Sequence, residues 1–328
     1  MDRQQQQHIQ LACPPRGPLN DGARSVQMCP SLYLATYRGR LEEVMALLLQ
    51  QHGAGTAGRY QATGIIQHGQ CDLLEVTAER NTILHVAAEQ GHDELIRELY
   101  IRFREEGLLF RRNSALDTPL HCAARAGHAR AVAALVQLAQ SILGCKNEAG
   151  DTALHLAARC GHGAAVEVLV SEAAATELNN AGVSALYLAV MSGSIQAVRA
   201  ITSTCRDASS AGPSSISQNA LHAAVFQSSE MVDVLLEWRP SLAGEVDSDG
   251  GTPLHFASSD GDRGVVRAIL RAGPPGTVYK KTRAASRLST LRRGWATAAL
   301  SRTFWGPSPT PRVKEYLKLT KSQRQTYN

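Results

Sequence analysis

Aromatic side chains make up only 5% of the 328 residues, so any core must be packed mainly by Leu, Val, Ile and Ala. Seven cysteines (Cys13, Cys29, Cys71, Cys122, Cys145, Cys160 and Cys205) are scattered, odd in number and without a C-x-x-C pair. That usage points to reduced, intracellular thiols and away from a disulfide framework. No run of 18 or more apolar residues occurs, so the sequence as given is not expected to span a membrane. Its start lacks the basic-then-apolar pattern of a signal peptide. A phosphate-binding loop, a dinucleotide fingerprint and a G-x-S-x-G elbow are also missing. His121 beside Cys122 is the only adjacent His/Cys pair, and it has no third group to orient a base. No enzyme and no cofactor are expected.

What the sequence has in abundance is a repeat. The segment from Asp151 to His162, DTALHLAARCGH, packs Leu154, Leu156, Ala157 and Ala158 into one short helix and closes on Gly161. Such a piece has too few turns to stand alone in water. Copies begin at Thr82, Thr118, Thr152, Ser184, Asn219 and Thr252, with a weaker one, PSLYLATYRGR, from Pro30. The markers His85, His121, His155, Tyr187, His222 and His255 are spaced by 36, 34, 32, 35 and 33 residues. A period near 33 with a T-P-L-H-x-A core resembles the ankyrin-repeat family, here over residues 30–273.

Each repeated residue has a physical role. Thr can cap the first helix, and Pro119 and Pro253 suit its first turn. The Ala pairs (Ala87 and Ala88, Ala123 and Ala124, Ala157 and Ala158) let neighbouring repeats approach. A second helix follows, with an apolar stripe: Leu95, Ile96 and Leu99; Val132, Leu135 and Val136; Val166, Val168, Leu169 and Val170; and so on to Val265, Val266, Ile269 and Leu270. Stacking hides the stripes in one core. The expected fold is an all-α ankyrin-repeat solenoid of about seven helix–turn–helix repeats with finger loops. The last repeat is expected to show Val265, Val266, Ile269 and Leu270 to water unless something covers them.

Residues 1–29, with their Gln tract and Pro14, Pro15 and Pro18, are expected to be disordered. An insertion near 52–71 accounts for the 52 residues between Tyr33 and His85, and a smaller Ser-rich one spans Ser209–Ser217. From 274 onward the period stops. Residues 280–328 hold 12 Lys and Arg against Glu315, a net of +11, whereas residues 1–279 carry a net of −6. This tail is expected to be disordered and unrelated to the array, as in a truncated or alternatively spliced form.

The finer pattern narrows the resemblance. The early finger insertion, CDLLEVTAERNTILHVAAEQGH and GGTPLHFASSDGD resemble plant ankyrin proteins of the accelerated-cell-death type, over about residues 30–279. In that group the array precedes a PGG domain and transmembrane helices, both missing here. The resemblance implies a role in salicylate-linked defence and cell-death signalling through protein contacts. It also implies placement at the cytoplasmic face of the plasma membrane or other membranes, where the sequence alone suggests the cytoplasm.

The repeated histidines could pass for metal ligands, but copies one repeat apart cannot converge on one ion, and Tyr187 fills the same slot. They are expected to tie loops together, and Gly91-His92, Gly127-His128 and Gly161-His162 to form helix–helix turns. Binding is better supported. The residue after the Ala pair varies freely as Glu89, Arg125, Arg159, Met191, Phe226 and Ser259. Arg, Met and aromatic residues are enriched at interfaces. These six are therefore the candidate protein-binding residues on a concave face, with Met191 and Phe226 the strongest. The basic tail offers an alternative: Lys280, Lys281, Arg283, Arg292 and Arg293 with Trp295 and Trp305 could serve a nuclear or nucleic-acid-associated adaptor. Its charges are diffuse, and Pro307, Pro309 and Pro311 break any helix. The expected partners are proteins rather than a small-molecule substrate.

Overall fold

A Thr followed by two apolar residues and His starts a helix here because the His side chain completes the cap. In the computed structural model the backbone N–H groups of Thr82, Thr118, Thr152 and Thr252 donate to Nδ1 of the His three residues on, at 3.1–3.3 Å. The Thr hydroxyls lie 2.8–2.9 Å from the same nitrogens. An Nδ1 that accepts carries no proton, so Nε2 holds the hydrogen. That hydrogen is donated to the next finger: from His85 to the Asp117 carbonyl at 3.0 Å, from His155 to that of Val183 and from His222 to that of Gly251 at 3.2 Å. One side chain thereby caps the start of a helix and fastens the following repeat.

The structure describes residues 27–49 and 71–274. The expectations for 1–26, for the insertion up to residue 70 and for 275–328 lie outside the described residues. The chain forms two units, divided after Glu148. The first contains Pro30–Tyr37 (α1), Leu41–Leu49 (α2), Ile83–Glu89 (α3), Asp93–Arg102 (α4), Pro119–Ala126 (α5) and Ala129–Leu138 (α6). First helices pack in the order α1, α3, α5, and second helix α4 packs on α6. The other unit contains Ala153–Cys160 (α7), Gly163–Leu169 (α8), Glu172–Thr176 (α9), Ala185–Ser192 (α10), Ile195–Thr204 (α11), Ala220–Ala224 (α12), Ser229–Trp238 (α13), Pro253–Asp260 (α14) and Arg263–Ala272 (α15). There the first helices run α7, α10, α12, α14 and the second α8, α11, α13, α15. The Ala pairs are fully buried between neighbouring first helices.

Close approach makes glycine necessary at the helix–helix turn between α3 and α4. Gly91 has φ +79°, and a Cβ there would lie 2.6 Å from the His128 ring. Both the left-handed backbone and the collision forbid a side chain.

Two apolar expectations change. Val265 and Ile269 are not presented to water: they are buried at 1% and 0%, because α13 packs on that side of α15. Val266 is half-buried, leaving Leu270, at 47% exposed, as the residue that faces out. Val168 belongs to the outside of α8, since the helical period that buries Val166 and Leu169 turns it away. The structure also adds short 3₁₀ turns after second helices, Gln140–Gly144 and Pro240–Gly244, which carry Ile142 and Leu242 into the core.

Candidate functional site

Beneath the variable slot lies a polar scaffold that the repeat motif only hints at. Five residues ahead of the N-cap stands Asn113, Asn147, Asn179 or Asp247. Asn179 Oδ1 accepts the N–H groups of Ala181 and Val183 at 3.0 Å, which folds the finger turn. Its Nδ2 then donates to Asp151 Oδ1 of the preceding repeat at 2.8 Å. Asn113 does the same to Asn81, and Asn147 donates to Asp117. At Asp247 the turn is kept by bonds from Asp249 and Gly251. Burial pushes this carboxyl up from its ordinary range, opposed by those N–H bonds.

Asp117 and Asp151 are almost wholly buried carboxylates, and buried charges need partners. Arg159 supplies one as a fork, Nη1 to Asp151 Oδ2 at 2.6 Å and Nη2 to Oδ1 at 2.9 Å. Arg125 pairs with Asp117 through Nη2 and Oδ2. Their exposure differs, 47% for Arg125 against 17% for Arg159. Both candidate arginines are therefore committed first to neutralising the scaffold.

The remaining slot residues divide by exposure. Glu89 and Ser259 are exposed, whereas Met191 and Phe226 are half-buried. Helix α12 ends at Ala224, so Phe226 sits in the turn beyond it. Its ring meets Phe256 edge-on at 5.9 Å, and Phe256 in turn meets His222 at 5.3 Å. Glu89 and Arg125 lie in the first unit, and Arg159, Met191, Phe226 and Ser259 in the second.

One member of the series was overlooked in the sequence. Aligning PSLYLATYRGR with the other copies places Tyr37 in the same slot of α1. Tyr37 is 46% exposed, and so are its neighbours Tyr33 (40%) and Leu34 (44%). The two tyrosine rings stack with centroids 6.0 Å apart. This is the largest cluster of exposed apolar side chains on any first helix among the described residues.

The lattice histidines are spent on structure. Burial, only partly offset by the Asp117 carbonyl, drives His85 down to about 4. His222 falls likewise to about 4 against the Gly251 carbonyl. Both are neutral at physiological pH, with each ring nitrogen within hydrogen-bonding distance of a lattice partner. Among the described residues no three His, Cys, Asp or Glu side chains gather as a metal site, and no helix is long and apolar enough to cross a membrane.

The family model for ankyrin repeats (3 copies) matches residues 32–143 and 136–211. The chain belongs to the ankyrin-repeat family. Among ankyrin-repeat relatives, Protein ACCELERATED CELL DEATH 6 of Arabidopsis thaliana is 34% identical over 211 residues, covering 55% of this chain and 31% of that protein. The chain thus spans less than a third of this relative. Among solved structures, the human ASB11 ankyrin repeat domain aligns with a TM-score of 0.55 at 23% identity, over 75% of this chain and 99% of that one. The ankyrin repeat domain of Bcl-3, described as a unique member of the IkappaB protein family, gives 0.52 at 26% identity, over 62% and 92%. The first of these speaks for the shared ankyrin-repeat fold alone.

Proposed function

We propose that this chain is a non-catalytic protein-interaction scaffold, gripping its partner through the slot that follows the small-residue pair. The slot recurs repeat by repeat, as Tyr37, Glu89 and Arg125 in the first unit and as Arg159, Met191, Phe226 and Ser259 in the second. The observation that carries this reading is the exposed trio Tyr33, Leu34 and Tyr37, set on a frame whose buried His and Asp groups are already paired. Stacked tyrosines with one wet edge are well suited to protein contacts. Likeness to a protein named for accelerated cell death favours a plant defence and cell-death signalling role, with any membrane placement arising through partners or a longer isoform.

The test is affinity capture from plant extract followed by mass spectrometry. The Tyr33→Ser/Tyr37→Ser and Met191→Ser variants are expected to lose the partners held by the parent chain while melting at an unchanged temperature. Undiminished capture would refute the assignment. Phe226 is excluded from the set because its contact with Phe256 couples it to stability. The net +11 of residues 280–328 supports a second reading as a nucleic-acid-associated adaptor. Filter binding at moderate salt, with and without those residues, separates the two.

A further inference from the structure

Glu75 is a buried carboxylate (4% exposed) with no place in the repeat lattice. Its Oε2 accepts the backbone N–H of Cys29 and its Oε1 that of Asp72, each at 2.8 Å. One side chain thus holds the residue that caps α1 and the residue next to Cys71. A parallel bridge between Gln27 and Val76, with the Met28 N–H on the Val76 carbonyl at 2.8 Å, fastens the same two strands of chain. This clamp makes the Cys29 and Cys71 side chains neighbours, each thiol acting on the other. Cys71 is buried and Cys29 half-buried, so reagents reach the pair from the Cys29 side.

The two sulfurs are not equivalent. Burial acts to raise Cys29, but the Leu32 N–H, the Cys71 thiol and the Ser31 N–H outweigh it and leave Cys29 below the ordinary thiol range. Burial, and after it the neighbouring Cys29 thiol, push Cys71 up to about 12. The more acidic, more accessible sulfur is the attacking one, and the protonated neighbour is placed to resolve it.

We propose that Cys29 and Cys71 are a peroxide-responsive thiol pair that closes to a disulfide. The Cys29 thiolate attacks hydrogen peroxide and the O–O bond breaks. Cys29 becomes a sulfenic acid, and the departing hydroxide takes a proton to become water. The Cys71 sulfur then attacks the Cys29 sulfur, the S–O bond breaks, and the hydroxyl leaves with the Cys71 proton as a second water. Two thiols lose two electrons and two protons, and one peroxide is reduced to two waters. The bond locks the entry to α1 onto the chain at 71–76; a dithiol reductant reverses it.

The experiment uses the full chain at pH 7, exposed to equimolar hydrogen peroxide, blocked with N-ethylmaleimide and digested with trypsin without reduction. The expected product is peptide 25–38 joined to peptide 60–80 at their summed mass less two hydrogens, lost on adding dithiothreitol. In Cys71→Ser, dimedone is expected to label Cys29 at least tenfold more than in the parent chain. Far-UV circular dichroism of that variant checks that it folds. Recovery of both cysteines as maleimide adducts, a bond from Cys29 to a different cysteine, or no gain in dimedone labelling in folded Cys71→Ser would each overturn the proposal.

Discussion

Acidification probes the lattice histidines directly. His85 and His222 each fall from 6.5 to about 4 on folding, chiefly through burial. Their folded pKa lies below the unfolded one, so the unfolded chain binds the extra proton. The stability they contribute is complete above pH 6.5 and is lost progressively as pH falls toward 4. At about 1.4 kcal/mol per pH unit, each histidine removes about 2 kcal/mol between pH 7 and pH 5. The two sit in different units, so each unit carries its own loss. Asp247, raised by burial, works in the opposite sense and toward lower pH. Urea titrations followed by far-UV circular dichroism at pH 7, 6 and 5 measure the slope. His85→Gln and His222→Gln are expected to be less stable at pH 7 and flatter with pH, each by about 1 kcal/mol per unit between pH 7 and pH 5. A parent chain equally stable at pH 7 and 5, or variants that keep the full slope, would refute the capping and cross-repeat roles assigned to these rings.

Two further substitutions separate the forces in the frame. Asp151→Ala is expected to cost about 3 kcal/mol or more, since it strips Arg159 (17% exposed) and Asn179 of their shared partner; a change below about 1 kcal/mol in urea unfolding would show that the pair is dispensable. Gly91→Ala and Gly261→Ala both force a left-handed alanine, worth about 1 kcal/mol. Only at Gly91 would the new Cβ also strike a ring, at 2.6 Å from His128, while Gly261 faces open space. Thermal melts should therefore rank Gly91→Ala clearly below Gly261→Ala, and equal shifts would remove the collision from the explanation.

Much of the frame was legible because its forces are local and recur. The Thr–His spacing, the Ala pairs and the helix-ending glycines each serve the same contact in successive repeats, so every copy reinforces the reading. The Asn113, Asn147 and Asn179 ladder was equally periodic, but these residues sit in loops where turn chemistry hides behind ordinary polarity. The apolar stripes misled at Val168 and Val265 because hydrophobicity says nothing about which neighbour covers a face. Within the slot, free variation was visible, yet Arg125 and Arg159 vary less freely than their positions suggest: each answers a buried Asp eight residues earlier. Tyr37 was missed because the first copy departs from the motif, with Tyr33 in the His position. The Cys29–Cys71 pair depends on Glu75 holding segments 46 residues apart, a contact no periodicity announces.

Hydrogen–deuterium exchange of the chain with and without its captured partner tests most directly whether binding runs through the first helices. Protection is predicted in the peptides that carry Tyr37, Glu89 and Met191 and in the adjoining finger turns, with α4, α6, α11 and α13 unchanged. Protection confined to those second helices would contradict the proposed binding surface.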